Sequence, residues 1–306
     1  MARTTATLVT RRQAITSLAT LATGTLLKPA TALAFESGDS KTRFAVIGDF
    51  GTGGSDECAV AAQMLQEHKR TDFDFVLTVG DNIYPSGNPK HFVKHFEEPF
   101  AGLLQERVKF YATLGNHDVE EGRKEQCNYS HFNMGGSCFY SISRGNGLIE
   151  FFMLDSTDFG AGQAYWLENG LRNSRAIWKV VALHYPLYSS GKKHGSDAKM
   201  RKMIEPLLTK YRVQVVFAGH DHVYERLKPQ HDIQHFVTGA GGKMRRGDID
   251  MKSPIRAVSY DEDNSFMLIE VDDREMSFKS ISENGAVVDS GVIKQSSSLL
   301  SWAITA

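Results

Sequence analysis

Short apolar runs recur along the chain, and each one ends in a polar or glycine-rich turn. The runs are residues 43–47, 75–79, 109–114, 148–154, 178–183, 213–218, 233–237 and 266–271. They are rich in Val, Ile, Leu and Phe, which is typical of strands that are buried on both faces. We therefore expect a sheet that is covered on both sides.

Helical patterns lie between several of these runs. Residues 56–70, with a cap predicted at Ser55, and residues 198–211, which follow Ser196, space their apolar side chains for one helix face. Strands that alternate with helices indicate the α/β class. Residues 144–147 predict a hairpin turn before the fourth run. The sequence shows no repeat and no long linker, so we expect one domain.

Composition excludes several classes of protein. With 41% apolar and 10% aromatic residues the chain is neither disordered nor collagen-like nor a coiled coil. A net charge of -1 argues against a basic nucleic-acid binder. Three cysteines are too few for a disulfide framework. The sequence leaves open whether Cys127 and Cys138 pair, and Cys58, on an apolar helical pattern, is predicted to be a buried thiol.

Residues 1–34 predict a cleavable export signal. Arg11 and Arg12 precede a mild apolar run of 14 residues, and the small residues before Phe35 fit a cleavage site. The run is shorter than the ~20 residues that span a bilayer, and the paired arginines resemble a twin-arginine signal. We expect residues 35–306 to be the mature catalytic domain, periplasmic or secreted, without a membrane anchor after cleavage.

Metal-ligand side chains follow five of the apolar runs. They are Asp49, Asp81 with Tyr84, Asn116, His184, and His220 with His222. Because the carboxyl ends of strands in α/β sheets converge on one crevice, we expect these side chains to meet. Oxygen donors mixed with imidazoles suit iron, manganese or zinc, and seven groups exceed the needs of one four-coordinate ion. Two metals ~3.5 to 4 Å apart are typical of phosphoryl-transfer sites.

The sequence around these residues resembles the purple acid phosphatases of the calcineurin-like metallophosphoesterase superfamily. Five blocks carry the resemblance: Gly48-Asp49-x-Gly51, Gly80-Asp81-Asn82-x-Tyr84, Gly115-Asn116-His117-Asp118, His184-Tyr185-Pro186 and Gly219-His220-x-His222. They occur in the family's order. Tyr84 separates this subfamily from the wider superfamily, and the short chain is similar to the low-molecular-weight, tartrate-resistant-like type. The resemblance implies a four-layer α/β/β/α sandwich with mixed sheets and a site at the carboxyl ends of the strands.

The same resemblance implies a binuclear metal centre. Fe(III) would be held by Asp49, Asp81, Tyr84 and His222, and a divalent ion (Fe, Zn or Mn) by Asp81, Asn116, His184 and His220. Asp81 would bridge the two ions. His117 would protonate the leaving group, with Asp118 orienting it and His194 assisting. His220 and His222 are two positions apart, so one can serve each metal only if they lie on a loop or bend.

The activity implied is acid hydrolysis of small phosphate monoesters by a hydroxide held on the two metals. One alternative is a phosphodiesterase or nucleotide pyrophosphatase of the same superfamily. Another is a metal-binding or phosphate-binding protein without turnover, which has no need of a general acid such as His117. We expect a monomer that binds no nucleic acid.

The segment Gly239-Ala240-Gly241-Gly242-Lys243 resembles a nucleotide-binding loop only superficially. It lacks the spacing G-x-x-x-x-G-K-[ST] and the helix that follows in such loops. The segment instead predicts a tight turn near the site.

Overall fold

The structure, a computed structural model, describes residues 41–295 and contains two mixed β-sheets in that range. The predicted export signal at residues 1–34 and the serine-rich end lie outside the described residues. The strands are β1 (Thr42–Ile47), β2 (Phe75–Val79), β3 (Lys109–Thr113), β4 (Tyr140–Arg144), β5 (Ile149–Met153), β6 (Trp178–Ala182), β7 (Val215–Ala218), β8 (Tyr224–Leu227), β9 (Gln234–Thr238), β10 (Arg256–Tyr260), β11 (Ser265–Val271), β12 (Glu275–Ser282) and β13 (Val287–Lys294).

Helices connect these strands. The α-helices are α1 (Ser55–Thr71), α2 (Ala101–Gln105), α3 (Asp118–Glu121), α4 (Arg123–Asn128), α5 (Ala161–Asn173) and α6 (Ala198–Lys210). Short 3-10 turns occur at Pro89–His91, Ser130–Phe132 and Ser156–Asp158, and Val93–Glu97 forms a π-helix. Within the described range none of the helices is long and apolar enough to cross a membrane.

The two sheets have six and seven strands. Their orders are β13-β12-β11-β1-β2-β3 and β10-β8-β9-β7-β6-β5-β4. In the first sheet β1, β2 and β3 are parallel neighbours, and in the second β5, β6, β7 and β9 are parallel neighbours. The carboxyl ends of each parallel group therefore lie at one edge of its sheet.

The sheets pack face to face, and helices cover their outer faces. Along β1, Phe44 and Val46 belong to the apolar cluster between the sheets, whereas Ala45 and Ile47 pack with the helices on the outer side. A third cluster joins α5 and α6 to the seven-stranded sheet. Each large side chain buried in this way contributes about 1.5–3 kcal/mol. The predicted four-layer α/β/β/α sandwich with mixed sheets is confirmed.

The predicted elements differ from the observed ones in a few places. All eight predicted strands are present, and the hairpin predicted around residues 144–147 joins β4 to β5. The predicted cap at Ser55 is wrong, because α1 begins at that residue and is preceded by Gly54 without a side-chain cap. In α6 the cap is Asp197, whose carboxylate accepts a hydrogen bond from the Met200 amide at 2.8 Å.

The structure shows which cysteines are paired and which is free. Cys127 and Cys138 form a disulfide that joins α4 to the segment before β4. Cys58 is exposed, so the prediction of a buried thiol is wrong. The buried face of α1 is formed by Val60, Ala61 and Met64, and Cys58 lies outside it.

Candidate metal centre

Both sheets deliver ligand-type side chains to one place. The six-stranded sheet provides oxygen donors from the turns after β1, β2 and β3, and the seven-stranded sheet provides imidazoles from the turns after β6 and β7. The residues are Asp49, Asp81, Tyr84, Asn116, His184, His220 and His222. Side chains up to 173 positions apart in the sequence are thereby brought together by the packing of the two sheets.

Three of these residues adopt left-handed backbone conformations. The φ angles are 56° at Asp49, 52° at Asp81 and 73° at His220. This conformation costs roughly 1–2 kcal/mol for a residue with a Cβ, so it persists only where other contacts hold it. The Asp49 carboxylate accepts a hydrogen bond from the His220 amide at 2.9 Å, and Asp81 accepts one from the His117 amide at 3.0 Å. These hydrogen bonds join the turn after β1 to the turn after β7, and the turn after β2 to the turn after β3.

One half of the site is a dense group of buried donors. Ligand atoms of Asp49, Asp81 and His222 all lie within 4.8 Å of one another. The Tyr84 hydroxyl lies 2.9 Å from Asp81 Oδ2, 3.4 Å from Asp49 Oδ1 and 3.4 Å from His222 Nε2. Three oxygen donors and one imidazole thus face one small volume, and iron is among the metals that bind such a mixed set.

The other half is built around His184. Its Nε2 lies 3.1 Å from Asn116 Oδ1 and 3.5 Å from Asp81 Oδ1. Its Nδ1 lies 2.9 Å from the Val79 carbonyl, which can accept a hydrogen bond from Nδ1–H and so leaves the Nε2 lone pair facing Asn116 and Asp81. The His220 ring is 5.0 Å from that of His184. His220 and His222 lie in the turn between β7 and β8. The two rings can therefore face different metal positions, which they could not do from the same face of a regular strand.

The pKa shifts of the ligand-type side chains agree with a cation bound at this position. Burial raises the pKa of Asp49, and the nearby Asp81 raises it further although His184 opposes this. Burial, followed by the charges of Asp49 and Asp81, raises the pKa of Tyr84 above its usual range. Burial lowers the pKa of His220 to about 2 and of His222 to about 3, so both rings are neutral donors. Hard oxygen donors and neutral imidazoles form a set that iron, zinc or manganese can bind.

Asp118 lies behind the ligand turns. Its buried carboxylate accepts hydrogen bonds from the amides of Asn82 at 2.9 Å, Ile83 at 3.0 Å and Gly115 at 2.8 Å, and from Gln126 Nε2 at 2.8 Å. Burial, with a contribution from Asp81, raises its pKa to about 7. Asp118 therefore ties the turn after β2 to the turn after β3.

The hypothesis that Asp118 orients His117 finds no contact to support it. Within residues 41–295, the hydrogen-bond partner of the His117 ring is the Pro85 carbonyl, 2.5 Å from Nδ1, and the nearest carboxylate is Glu120 at 3.8 Å. The ring packs 4.7 Å from that of Tyr84, and the side chain is 31% exposed. His117 thus lies beside the ligands and is open to solvent.

His194 lies on the loop that precedes α6, beside His220. Its ring is 4.0 Å from that of His220, and burial lowers its pKa although Asp221 opposes the shift. A cavity of about 570 Å³ opens here, lined among others by Tyr185, Lys193, His194 and His220. His194 therefore borders a space that a substrate can enter next to the ligands.

Asp221 is a buried residue between two of the ligands, and the sequence analysis assigned it no place in the site. It stands between His220 and His222, at the place treated as variable in the fifth block. Its carboxylate accepts hydrogen bonds from Ser189 Oγ at 2.6 Å and from the Gly195 amide at 3.1 Å. These bonds join the His194 loop to the ligand turn. The only sequence signal was a charged residue at the end of a strand.

Lys243 belongs to the segment that was predicted as a turn near the site, but its contact with Tyr84 was not predicted. Its ammonium lies 3.8 Å from the centroid of the Tyr84 ring. Burial lowers the pKa of Lys243, and Arg245 and Lys193 contribute, although Asp81 and Asp49 oppose the shift. A cation thus lies beside the most anionic part of the site.

Comparison with known proteins shows which family the chain belongs to. The sequence profile of the calcineurin-like phosphoesterases matches residues 42–224, which include all five sequence blocks. Purple acid phosphatase 17 of Arabidopsis thaliana is 30% identical over 242 residues, covering 69% of this chain and 71% of that protein. Tartrate-resistant acid phosphatase type 5 of Homo sapiens is 29% identical over 286 residues, covering 79% of this chain and 88% of that protein.

Solved structures show the same fold. A purple acid phosphatase from yellow lupin seeds superposes with a TM-score of 0.69 at 19% identity, covering 86% of this chain and 55% of that one. The GAP50 anchor in the inner membrane complex of Plasmodium superposes with a TM-score of 0.74 at 19% identity, covering 84% and 90%. At this level of identity the two structures are evidence for the fold alone.

Proposed function

Because the chain belongs to the calcineurin-like phosphoesterase family and, within it, to the purple acid phosphatases, we propose that it hydrolyses small phosphate monoesters at acid pH with a binuclear metal centre. The observation that carries this proposal is the convergence of two carboxylates, a phenol, an amide and three imidazoles at one edge of the paired sheets. A protein that only bound phosphate would have no need of so many metal donors.

We assign the ligands by their grouping. Asp49, Asp81, Tyr84 and His222 form the more anionic set and would hold Fe(III). Asp81, Asn116, His184 and His220 would hold the divalent ion, which is Fe, Zn or Mn. Asp81 belongs to both sets because its two oxygens face different neighbours, Tyr84 at 2.9 Å and His184 at 3.5 Å. When bound, the two ions would supply the positive charge that binds the phosphoryl oxygens and activates water.

The protein residues around the ligands supply the proton. The Pro85 carbonyl lies 2.5 Å from Nδ1 of His117 and accepts its N–H, so the opposite ring nitrogen, Nε2, is the atom that can hold and give up a proton. We assign that proton to the leaving oxygen of the ester. His194 assists by binding the substrate from the cavity beside His220. Asp118 acts as a positioning residue for the turns that carry Asp81 and Asn116.

Export remains part of the proposal. The Cys127–Cys138 disulfide favours an oxidising compartment, which agrees with an export signal at residues 1–34 and a periplasmic or secreted enzyme. N-terminal sequencing of the exported protein checks this. Material that starts near Phe35 supports it, and material that starts at Met1 contradicts it.

The test of the activity combines metal analysis, a visible spectrum and two substrates. We expect two metal ions per chain, a purple charge-transfer band from Tyr84 bound to Fe(III), and faster hydrolysis of a phosphate monoester than of the matching diester. A preference for the diester would instead favour the phosphodiesterase alternative. A fully metallated, active but colourless protein would contradict the iron and Tyr84 assignments.

A further inference from the structure

The glycine-rich segment 239–243 packs against the turns that carry the ligands. The Gly241 amide donates a hydrogen bond to the Gly48 carbonyl at 2.9 Å. A Cβ at Gly241 would lie 2.5 Å from that carbonyl oxygen, and one at Gly242 would lie 2.5 Å from the Phe50 carbonyl oxygen. Only glycine allows so close an approach of two backbones. The segment therefore lies directly on the turn that carries Asp49.

The chain beyond this segment is fixed in the same way. The Arg245 amide donates a hydrogen bond to the His222 carbonyl at 2.8 Å, and the Met244 amide donates one to Asn264 Oδ1 at 3.1 Å. Lys243 is thus held between a contact to the Asp49 turn and a contact to the His222 turn. Its backbone cannot move without disturbing one of them.

The Lys243 side chain lies against the face of the Tyr84 ring. Its ammonium lies 3.8 Å from the centroid of the Tyr84 ring, and the Tyr84 side chain is almost fully buried. Among residues 41–295 no carboxylate lies within ion-pair distance of this ammonium. A cation over an aromatic face is attracted by the electrons of the ring, and the attraction is larger for a phenolate because of its negative charge.

We propose that Lys243 is a positioning residue for charge, which sets how strongly Tyr84 donates electrons to the ferric ion. The proposal rests on the proposed function, since it requires Tyr84 to be an iron ligand. The glycine-rich segment has the role of bringing this one cation to the face of the ligand. We assign this role to the segment in place of the nucleotide binding that its glycine-rich composition suggests.

The direction of the effect follows from electrostatics. The purple band arises when an electron moves from the phenolate to Fe(III). A positive charge at the face of the ring stabilises the electrons of the phenolate, which is the donor in this transition, and so raises the energy of the transition. Removing the charge should move the band to longer wavelength, by on the order of 10 nm for a charge–ring interaction of ordinary strength.

A competing role for Lys243 is to bind the substrate phosphate. That role predicts a higher KM in Lys243→Met and no change in the spectrum of the resting enzyme. The spectrum recorded without substrate therefore separates the two roles, and steady-state kinetics on the same samples gives KM and kcat.

The experiment compares three variants with the full-length protein, all loaded with iron and checked by metal analysis. Lys243→Met removes the charge, and Lys243→Arg keeps it. Arg246→Met removes a cation three positions further along the chain, whose guanidinium donates to the Glu262 carbonyl. We expect a shift to longer wavelength in Lys243→Met, a band near the original position in Lys243→Arg, and no shift in Arg246→Met.

Two results would overturn the inference, and they are distinguishable. A purple wild-type protein whose band is unmoved in Lys243→Met would overturn the role of Lys243 and leave the metal assignment intact, whether or not KM changes. A wild-type protein that binds iron without a purple band would overturn the ligation by Tyr84 and the inference with it.

Discussion

The two sheets contribute to the site in different ways. The six-stranded sheet provides the carboxylates, the phenol and the amide, and a buried carboxylate, Asp118, fixes their turns through backbone amides. The seven-stranded sheet provides the imidazoles, and there Asp221 ties the ligand turn to the His194 loop mainly through the Ser189 side chain. The oxygen side is thus held by rigid backbone contacts, and the imidazole side borders the open cavity.

This difference separates two tasks that conflict in one environment. A dense set of anionic donors needs burial and fixed geometry, because water and motion would weaken its hold on a cation. Substrate entry needs access to solvent, which the cavity beside His194 and His220 provides. The two sides meet through the Asp49 contact with the His220 amide and the His184 contact with the Val79 carbonyl.

Replacing Asp81 should have the largest effect, because this residue faces both sides. We expect Asp81→Asn to lower kcat/KM by roughly 10³-fold and to reduce the content of both metals. Kinetics and metal analysis measure this, and circular dichroism shows whether the fold is kept. A folded variant that retains both metals and full activity would contradict the bridging role.

Replacing Asp118 should weaken the oxygen side selectively. In Asp118→Asn the amide group would face several donors that now point at a carboxylate, which should cost about 1–3 kcal/mol in the free energy of unfolding. The turns of Asp81 and Asn116 would loosen, so metal affinity should fall by about 10–100-fold. Denaturant unfolding and metal titration test this. Unchanged metal affinity would show that the turns hold their geometry without Asp118.

Replacing Asp221 is the matched change on the imidazole side. In Asp221→Asn the His194 loop should lose its tie to the ligand turn, while the oxygen donors keep theirs. We expect KM to rise by about 10-fold, an effect of roughly 1.4 kcal/mol, with the charge-transfer band unmoved. A shifted band with an unchanged KM would mean that the two sides are not independent.

The two sides should also differ in how they respond to pH. On α1, burial raises the pKa of Glu57 from 4.5 to about 8. On β9, burial lowers the pKa of His235 from 6.5 to about 3. Between pH 4.5 and 8 the folded protein binds the extra proton at Glu57, so stability falls as pH rises. Between pH 3 and 6.5 the unfolded protein binds the extra proton at His235, so stability rises with pH.

Each group should contribute up to about 1.4 kcal/mol per pH unit within its window. Glu57→Gln should therefore flatten the decline above pH 6.5, and His235→Phe should flatten the rise below pH 4.5. Unfolding free energies measured from pH 4 to 8 test both, with each variant serving as the control for the other. Equal slopes in the wild type and both variants would contradict these titrations.

The elements that the sequence predicted are those with continuous apolar runs. The parallel strands β1, β2, β6 and β7 are buried on both faces, so their composition shows them directly. Strands β8, β10, β12 and β13 were missed. Strand β13 alternates exposed and partly buried residues because it lies at the edge of its sheet, so no apolar run marks it. Helix α5 was also missed.

The sequence by itself determined the fold class, the family and the ligand-type side chains, because each depends on residues that are close together in the chain or on the order of short blocks. Only the tertiary structure decided what holds those side chains in place. Asp118, Asp221 and Lys243 act on partners that are distant in sequence and a few ångströms away in space. Hydrogen bonds and charges depend on that spatial distance, which no pattern along the chain encodes.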